Sequence, residues 1–393
     1  MSVTALLLAA ALSQTPPPQP GAASDAPPAP PAADAPTTPS AVAAPVVAKP
    51  AAAPASKGPT FWGFIDAQWS ATDAPKPAND SSTFELRRAR LGARGEVTPN
   101  VGYNVLFDGA DTSLKDAYAS LKAMPFLPGV ELRFGQWKTP FGYEQPESDT
   151  KLLWVYSSYV VQALARSTST TSLYATPDSR DLGAGLVGKW TAGALGAELA
   201  GSYVNGAGPN RKDDLDTKNV WGRAGVLLKT DGGSLRAGAS YGHGRQVAAL
   251  GANGKFDGVG SPADDTYFWF KTYGADAELD LPFLFVAAEW IKSERDVTTY
   301  TSATASTHSS FNARGWYVGA YGKSRWNVGP IFRAERFDRN RSTTNDLNER
   351  YTVGGYVDLL PVSARLIFNY EFDRSDAPVR TGDRAIVFGQ VIF

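Results

Sequence analysis

The chain contains 393 residues, with 38 basic and 39 acidic side chains, two histidines and no cysteine. The absence of cysteine excludes a disulfide framework, a thiolate metal site and a cysteine nucleophile, and a formal net charge of −1 does not indicate nucleic-acid binding. Aromatic residues make up 11% of a chain whose mean hydropathy is only −0.24. This combination is typical of a transmembrane β-barrel, in which aromatic girdles face the lipid interfaces while half of each strand stays polar. A large soluble β protein rich in aromatic residues is the alternative.

The N-terminal part of the chain differs in composition from the rest. Residues 1–13, MSVTALLLAAALS, contain a short apolar run followed by small residues, which predicts a secretory signal peptide although a basic n-region is missing. Residues 14–57 are dominated by Pro and Ala and predict a disordered, extended spacer, because such a segment cannot bury enough apolar surface to offset the entropy of ordering it. No stretch reaches about 18 uninterrupted apolar residues, so a membrane-spanning helix is not expected.

Residues 58–393 carry about sixteen segments with the alternation of a β-strand, and we predict an all-β fold, a transmembrane antiparallel β-barrel. In the strand after Phe84, the small apolar side chains share one face and three arginines, Arg88, Arg90 and Arg94, share the other. Later strands alternate in the same way. In residues 311–321 both faces carry aromatic side chains, so no inward face is predicted there.

The connections between these strands alternate in length. Short ones, built from Gly, Pro, Asn and Asp as turns require, are predicted at 97–100, 123–128, 191–194, 230–233, 280–282, 322–325 and 360–362. Longer polar ones are predicted at 71–83, 139–180, 205–218, 243–265, 294–310, 338–348 and 373–382, with 109–113 as a short member of this second set. A transmembrane barrel requires such alternation, whereas a soluble sandwich does not.

Three motifs between Phe84 and Gly142 carry a family resemblance: RRARLGARGEV, LKDAYASL and LRFGQWKTPFG. In order and spacing they resemble the N-terminal signature of the phosphate-selective porin O and P family of Gram-negative bacteria, and the resemblance continues more loosely to Phe393. It implies an outer-membrane porin for the passive diffusion of small hydrophilic solutes, preferring anions such as phosphate or polyphosphate. It also implies a homotrimer, with the N-terminal tail in the periplasm.

The last predicted strand, AIVFGQVIF, is amphipathic and ends on the aromatic Phe393. Such an ending resembles the signal read by the outer-membrane barrel assembly machinery, which we expect as a partner. A non-selective general porin and a structural envelope barrel are the alternatives to an anion-preferring pore.

Residues 139–180 form the longest early connection. Its middle, KLLWVYSSYVVQALAR, is too apolar for a mobile surface loop, and a connection of this length in a compact protein is usually functional or disordered. The segment occupies the place in strand order of the loop that narrows general porins, so we predict a constriction loop. An outer lid or a trimer contact is the alternative.

Basic side chains are the predicted lining of an anion path. Arginine suits oxyanions because its planar guanidinium forms bidentate hydrogen bonds and stays charged. The predicted set joins four arginines of the polar strand faces to one strand lysine and two loop residues: Arg88, Arg90, Arg94, Lys122, Arg133, Lys151 and Arg166. The alternative is that these side chains pair with inward acids, namely Glu96, Asp108 and Asp116, and only hold the wall together.

The third loop departs from the family, because the place of its acidic–arginine–serine step reads Val155-Tyr156-Ser157-Ser158 here. Inward acids are also numerous in the later strands, which favours a broader pore. No enzyme, cofactor or metal site is predicted. A barrel hydrolase would need a catalytic histidine, and His243 and His308 lie in predicted loops between Gly or Ser residues, where histidines are usually solvated.

Overall fold

A closed antiparallel β-barrel is the architecture of the computed structural model, which describes residues 58–76, 80–122, 127–165, 179–213, 217–249, 266–302, 305–360 and 363–393. Sixteen strands each pair with their neighbours in chain order, and β1 pairs with β16 to close the sheet. The predicted all-β barrel of about sixteen strands is confirmed. The predicted signal peptide and spacer lie outside the described residues. Within those residues, no helix has the length and apolar character needed to cross a membrane.

The strands are β1 Thr60–Asp73, β2 Ser81–Thr98, β3 Val101–Asp108, β4 Ser113–Leu121, β5 Val130–Lys138, β6 Arg180–Ala192, β7 Leu195–Val204, β8 Asn219–Thr230, β9 Gly233–Ala249, β10 Thr266–Asp280, β11 Leu284–Ser302, β12 Ala305–Gly322, β13 Val328–Asp338, β14 Leu347–Leu360, β15 Ala364–Asp373 and β16 Asp383–Ile392. In the described residues, helical structure is limited to single turns, Val161–Ala165 in the connection between β5 and β6 and Ala377–Val379 before β16.

Each strand has an inward and an outward face, because strand side chains alternate. In β10, Phe268, Phe270 and Thr272 point inward and are buried, whereas Trp269 and Tyr273 point outward and are exposed. In the described strands, most of the exposed large apolar and aromatic side chains lie on outward faces. This is the arrangement of a barrel that meets lipid on its outside.

The two ends of the barrel differ. At one end, here called the turn end, consecutive strands are separated by two to eight residues. The opposite end, here called the loop end, carries the connections 74–80, 109–112, 139–179, 205–218, 250–265, 303–304, 339–346 and 374–382. The predicted short connections are therefore confirmed at every turn-end position, but the alternation in length fails between β11 and β12, which are separated by only two residues at the loop end.

Two predicted loops at the loop end are wrong. The predicted loop 294–310 is strand almost throughout, since β11 runs to Ser302 and β12 begins at Ala305. The predicted loop 243–265 begins only after Ala249, so His243 lies in β9 and His308 in β12 rather than in loops. These segments are rich in Thr, Ser and Gly, which read as loop residues, but the ladder of hydrogen bonds continues through them and β-branched Thr suits a strand.

Candidate functional site

Part of the connection between β5 and β6 runs inside the barrel. Residues 139–165, here called the lumenal segment, bury Phe141, Trp154, Val160 and Leu164 against inward-facing side chains of β7, β8 and β10 to β13. The inward side chains of this contact are Val204, Trp221, Phe268, Phe270, Phe285, Ala287, Ile291, Val297, Ala313, Tyr317 and Phe337. The unassigned aromatic pattern of residues 311–321 has its explanation here, because the inward Tyr317 packs edge-on against Trp154, with ring centroids 6.2 Å apart.

The segment also reaches the opposite wall. Leu153 and Val155 pack with inward side chains of β13 to β16, including Ile331, Ile367 and Phe388. Apolar contacts on two walls mean that the lumenal segment crosses the interior instead of lying along one side of it.

The turn into the barrel interior depends on Gly142. Its φ of 65° is a left-handed conformation that favours glycine, and a Cβ at this position would collide with the Glu289 carboxylate. That carboxylate accepts a hydrogen bond from the Tyr143 backbone NH, and the Ser240 hydroxyl accepts one from the Gly142 NH at 2.9 Å. The final glycine of the LRFGQWKTPFG motif thus starts the lumenal segment.

Side chains of the barrel wall hold the irregular backbone of the segment. Backbone polar groups away from water need partners, and here inward residues of β11 and β13 to β15 supply them. The Tyr159 NH donates to Glu335 at 2.6 Å, and four carbonyls accept from arginines: Thr150 from Arg365 at 3.3 Å, Tyr156 from Arg333 at 2.6 Å, Ser157 from Arg350 at 3.3 Å and Ala163 from Arg295 at 2.7 Å.

Asp149 of the lumenal segment is bound by two of the predicted path residues. Arg88 lies 3.4 Å from Asp149 and 3.0 Å from Asp66, and Arg90 lies 2.5 Å from Asp149 and 2.8 Å from Asp108. Burial acts to raise the pKa of Asp149, but the positive charges of Lys138, Arg88 and Arg90 outweigh it and hold the pKa well below its usual value. Arg88 and Arg90 therefore attach the segment to β2 as well as facing the interior.

Two of the inward cations that are missing from the predicted set, Arg87 and Lys115, each lie at a β-bulge. Asp66 pairs with Arg88 and Ala67 with Leu86, so Arg87 is an extra residue and faces inward beside Arg88. The Arg87 guanidinium lies 4.1 Å from the ring centre of Tyr156, and the Arg384 guanidinium lies 3.7 Å from the same ring centre. No signal in the alternation pattern could have revealed this position.

Lys115 is the corresponding residue of β4. Leu106 pairs with Asp116 and Phe107 with Leu114, which leaves Lys115 unpaired in the ladder and turned inward. Its ammonium lies 2.5 Å from Asp111. The KD pair of the LKDAYASL motif therefore places both of its charges inside the barrel.

The remaining strand residues of the predicted set lie nearer the turn end. Arg133 is paired with Glu131 at 2.9 Å, and its guanidinium lies 4.9 Å from the ring centre of Tyr118. Lys122 directly follows β4 and pairs with Glu96 at 2.7 Å at the rim. Arg94 is exposed on the inward face of β2.

The two loop residues of the predicted set differ in outcome. Lys151 pairs with Glu147 at 2.8 Å, yet 68% of its side chain stays exposed inside the barrel. Arg166 lies outside the described residues. The predicted set is thus spread over both ends of the interior, and only Arg88 and Arg90 share a contact.

Open space remains on both sides of the lumenal segment. A cavity of about 390 Å³ lies toward the turn end, and its lining has six basic and three acidic residues. Another of about 450 Å³ lies toward the loop end, with five basic and three acidic residues. Lys138 lines both cavities. A third cavity, of about 690 Å³, lies at the turn end beside β10 to β16, and its lining has four basic and four acidic residues.

The structure resembles solved outer-membrane proteins of low sequence identity. It matches OmpF of Salmonella typhi in complex with daunomycin at 12% identity and a TM-score of 0.56, over 85% of this chain and 97% of that one. It matches OprB of Pseudomonas putida at 11% identity and a TM-score of 0.54, over 86% of this chain and 94% of that one. It matches in-vitro folded OmpT of Vibrio cholerae in its trimer form at 13% identity and a TM-score of 0.52, over 86% of this chain and 99% of that one. At such identities these likenesses show the fold.

No curated protein shows a significant match to the chain. The sequence model described as phosphate-selective porin O and P, in contrast, matches residues 65–330, which is more than half of the chain. The match begins in β1, covers the lumenal segment and the bulges at Arg87 and Lys115, and ends in β13. This outer-membrane porin barrel belongs to the phosphate-selective porin O and P family.

Proposed function

We propose that this porin is an anion-preferring diffusion pore of the outer membrane, with the lumenal segment as its constriction and phosphate or polyphosphate among its solutes. The observation that carries the proposal is the excess of basic residues in the two cavities that Lys138 lines. One cavity has six basic and three acidic residues, and the other has five basic and three acidic residues. A narrow pore selects by size and by the field of its lining charges. The third cavity has a balanced lining, so we place the anion path on the side of β2 to β9.

The proposed path residues have two roles. Arg88 and Arg90 are nearly neutralised by Asp66, Asp108 and Asp149, so they contribute mainly by attaching the segment. Lys151 is an exposed cation inside the barrel, and together with Arg133 and Lys138 it offers donors that a passing oxyanion can reach. Passage needs weak binding, and these groups replace only part of the hydration shell of the solute.

Further parts of the proposal rest on the family and the fold. We place the turn end, the residue 14–57 spacer and the signal-peptide cleavage site on the periplasmic side, and the loop end outside the cell. The trimer form of OmpT, a neighbour in fold, supports a homotrimer. The amphipathic β16 with Phe393 fits recognition by the barrel assembly machinery. No catalytic step is part of the proposal.

The test is the zero-current potential of the purified porin in a planar bilayer under a KCl gradient, repeated while phosphate is added. We expect a potential that shows chloride preference and a conductance that is reduced by low concentrations of phosphate.

Lys151→Glu should lower the anion-to-cation permeability ratio, because it reverses the charge of an exposed cation beside the path. Lys76→Glu, in an exposed ion pair of the β1–β2 connection, is the matched control and should leave the ratio unchanged.

Two results would contradict the proposal. Open channels with cation preference and no effect of phosphate would reduce the function to general diffusion, which the many inward acids also support. A folded barrel without any conductance would favour a structural envelope protein.

A further inference from the structure

The third cavity, at the turn end beside β10 to β16, is a side chamber of the lumen. On its loop-end side the lumenal segment packs against the wall, where Leu153 meets Ile367 and Phe388. On its other flank it adjoins the first cavity, because Tyr143 and Lys151 line both. Its volume of about 690 Å³ lies within the range of small-molecule sites, about 300–1,000 Å³.

The charged side chains of this cavity are paired with one another. Each of its four cations forms an ion pair with one of its four carboxylates: Arg236 with Glu278 at 3.5 Å, Lys323 with Asp280, Arg365 with Asp358 at 2.5 Å and Lys151 with Glu147 at 2.8 Å. An ion of either sign therefore meets no net charge here. Carboxylates and cations in such pairs keep acceptor lone pairs and N–H groups that can still bind hydroxyl groups.

Four aromatic rings form one wall of the cavity. They contact each other in the order Tyr143, Phe285, Tyr321 and Tyr356, with successive ring centroids 6.2, 4.7 and 6.0 Å apart. The Tyr356 hydroxyl donates to the Gly322 carbonyl at 3.0 Å. The hydroxyls of Tyr143 and Tyr321 have no hydrogen-bond partner among the described residues, although only 6% of Tyr143 is exposed. Buried polar groups nearly always have a partner, so these two hydroxyls are available to a molecule in the cavity.

We propose that this cavity binds an uncharged sugar of one or two rings. A sugar ring presents C–H groups, which suit an aromatic wall, and hydroxyls that both donate and accept hydrogen bonds. The cavity offers the matching groups, namely aromatic rings, two tyrosine hydroxyls without a partner, carboxylates that accept and cations that donate. Phosphate finds no basic excess here, and an apolar molecule would have to lie against eight charged side chains. The inference goes beyond the anion path and does not rest on it.

The test is a calorimetric titration of the purified full chain with maltose, in a detergent whose headgroup is not a sugar. We expect saturable binding that is the same at about 0.1 M and about 1 M KCl, because screening acts on net charge and the cavity has none. Tyr321→Phe removes one hydroxyl and keeps the ring. It should weaken the binding about fivefold, the effect of one hydrogen bond between uncharged groups. Tyr321→Leu also removes the ring and should weaken the binding further.

The matched control is Tyr118→Phe, since Tyr118 is an inward tyrosine of the first cavity, beside Arg133. This variant should bind maltose as the unchanged protein does. Equal weakening by Tyr118→Phe and Tyr321→Phe would overturn the assignment to the third cavity. No saturable binding of maltose by a folded barrel, or binding of the zwitterion glycylglycine in its place, would overturn the sugar. The heat-dependent gel mobility of each variant shows whether the barrel is folded. Calorimetry needs no conductance, so a cation-preferring or closed barrel would leave the inference standing.

Discussion

Asp149 is the residue on which the position of the lumenal segment depends most at the β2 wall. Its carboxylate lies within 3.4 Å of Arg88 and Arg90, and each arginine holds a second carboxylate of the wall. Removing one partner of a buried ion pair leaves the other charge uncompensated. Arg88 and Arg90 keep Asp66 and Asp108, so the barrel wall does not depend on Asp149.

Asp149→Asn should therefore loosen the segment while leaving the barrel folded. Because both arginines keep a second carboxylate, the loss is that of charge-assisted hydrogen bonds, about 2 kcal/mol. We expect a higher single-channel conductance with more frequent current steps. Asp80→Asn, in an exposed pair with Lys76, is the control and should behave as the unchanged protein. An Asp149→Asn conductance equal to that of the control would show that the segment is held without this ion pair.

The pH dependence of this contact follows from the lowered pKa of Asp149. A carboxylate whose pKa is lower in the folded state contributes stability above its unfolded value, near 4, and loses it as the pH falls through the folded value. The Asp149 attachment should thus persist from pH 7 to about pH 4. The current steps that we expect for Asp149→Asn at pH 7 should appear in the unchanged protein only below about pH 4.

The bulge in β2 shows what one extra residue does to a strand. Arg87 is the unpaired residue between two regular stretches of the β1–β2 ladder. Its insertion brings Arg87 and Arg88 to the same face without turning the remaining side chains of β2 to the wrong side. The strand thereby gains an inward cation and keeps Phe84 and Leu86 on the outward face, where both are exposed.

Deletion of Arg87 should accordingly be tolerated. The flanking pairs Asp66–Arg88 and Ala67–Leu86 can join into a regular ladder, so the yield of folded, heat-modifiable barrel should remain near that of the unchanged protein. Deletion of Ala89 is the matched control. The same bulge would absorb the lost residue, but Arg88 would then take the outward place of Ala89 opposite Ile65, where a charge facing lipid is costly. We expect a clearly lower yield for that deletion, and similar yields for both deletions would contradict this view of the bulge.

The strand order and the turn-end connections could be predicted because period-two alternation and turn chemistry are local signals. The inward Arg87 and Lys115 could not, since a bulge changes the parity without a residue type that marks it. Loop boundaries at the loop end failed for a related reason. Beyond the lipid, both faces of a strand can be polar, so residues 294–310 lose the alternation that identifies a strand although the hydrogen bonds continue.

At the scale of the whole molecule, the interior field is the sum of many partly paired charges. The basic excess lies along β2 to β9, and the remaining wall is balanced. Of the ten basic residues that line these two cavities, four belong to the set predicted from the sequence: Arg88, Arg90, Arg133 and Lys151. The attachment of the segment by Arg295, Arg333, Arg350 and Arg365 could not be predicted, because those contacts join residues more than 130 positions apart.

A field of this kind should weaken with salt. The Debye length falls from about 10 Å at 0.1 M to about 3 Å at 1 M, so a preference that arises from the summed charge should be strong in dilute KCl and largely lost in concentrated KCl. The ion preference is obtained from reversal potentials, measured at a constant KCl ratio across the bilayer while the KCl concentration is raised from about 0.1 M to about 1 M. A preference independent of salt would instead indicate direct binding of the anion to one or two groups.

The crossing of the interior by the lumenal segment has a mechanical consequence. A sixteen-stranded sheet closed only by its own ladder can flatten in cross-section, as any thin-walled tube can. Here the lumenal segment ties β2 to β11 and to β13 through β15, so the contacts that hold the proposed constriction in place also resist deformation of the tube. The opening cannot be widened by weakening these ties without also softening the wall around it.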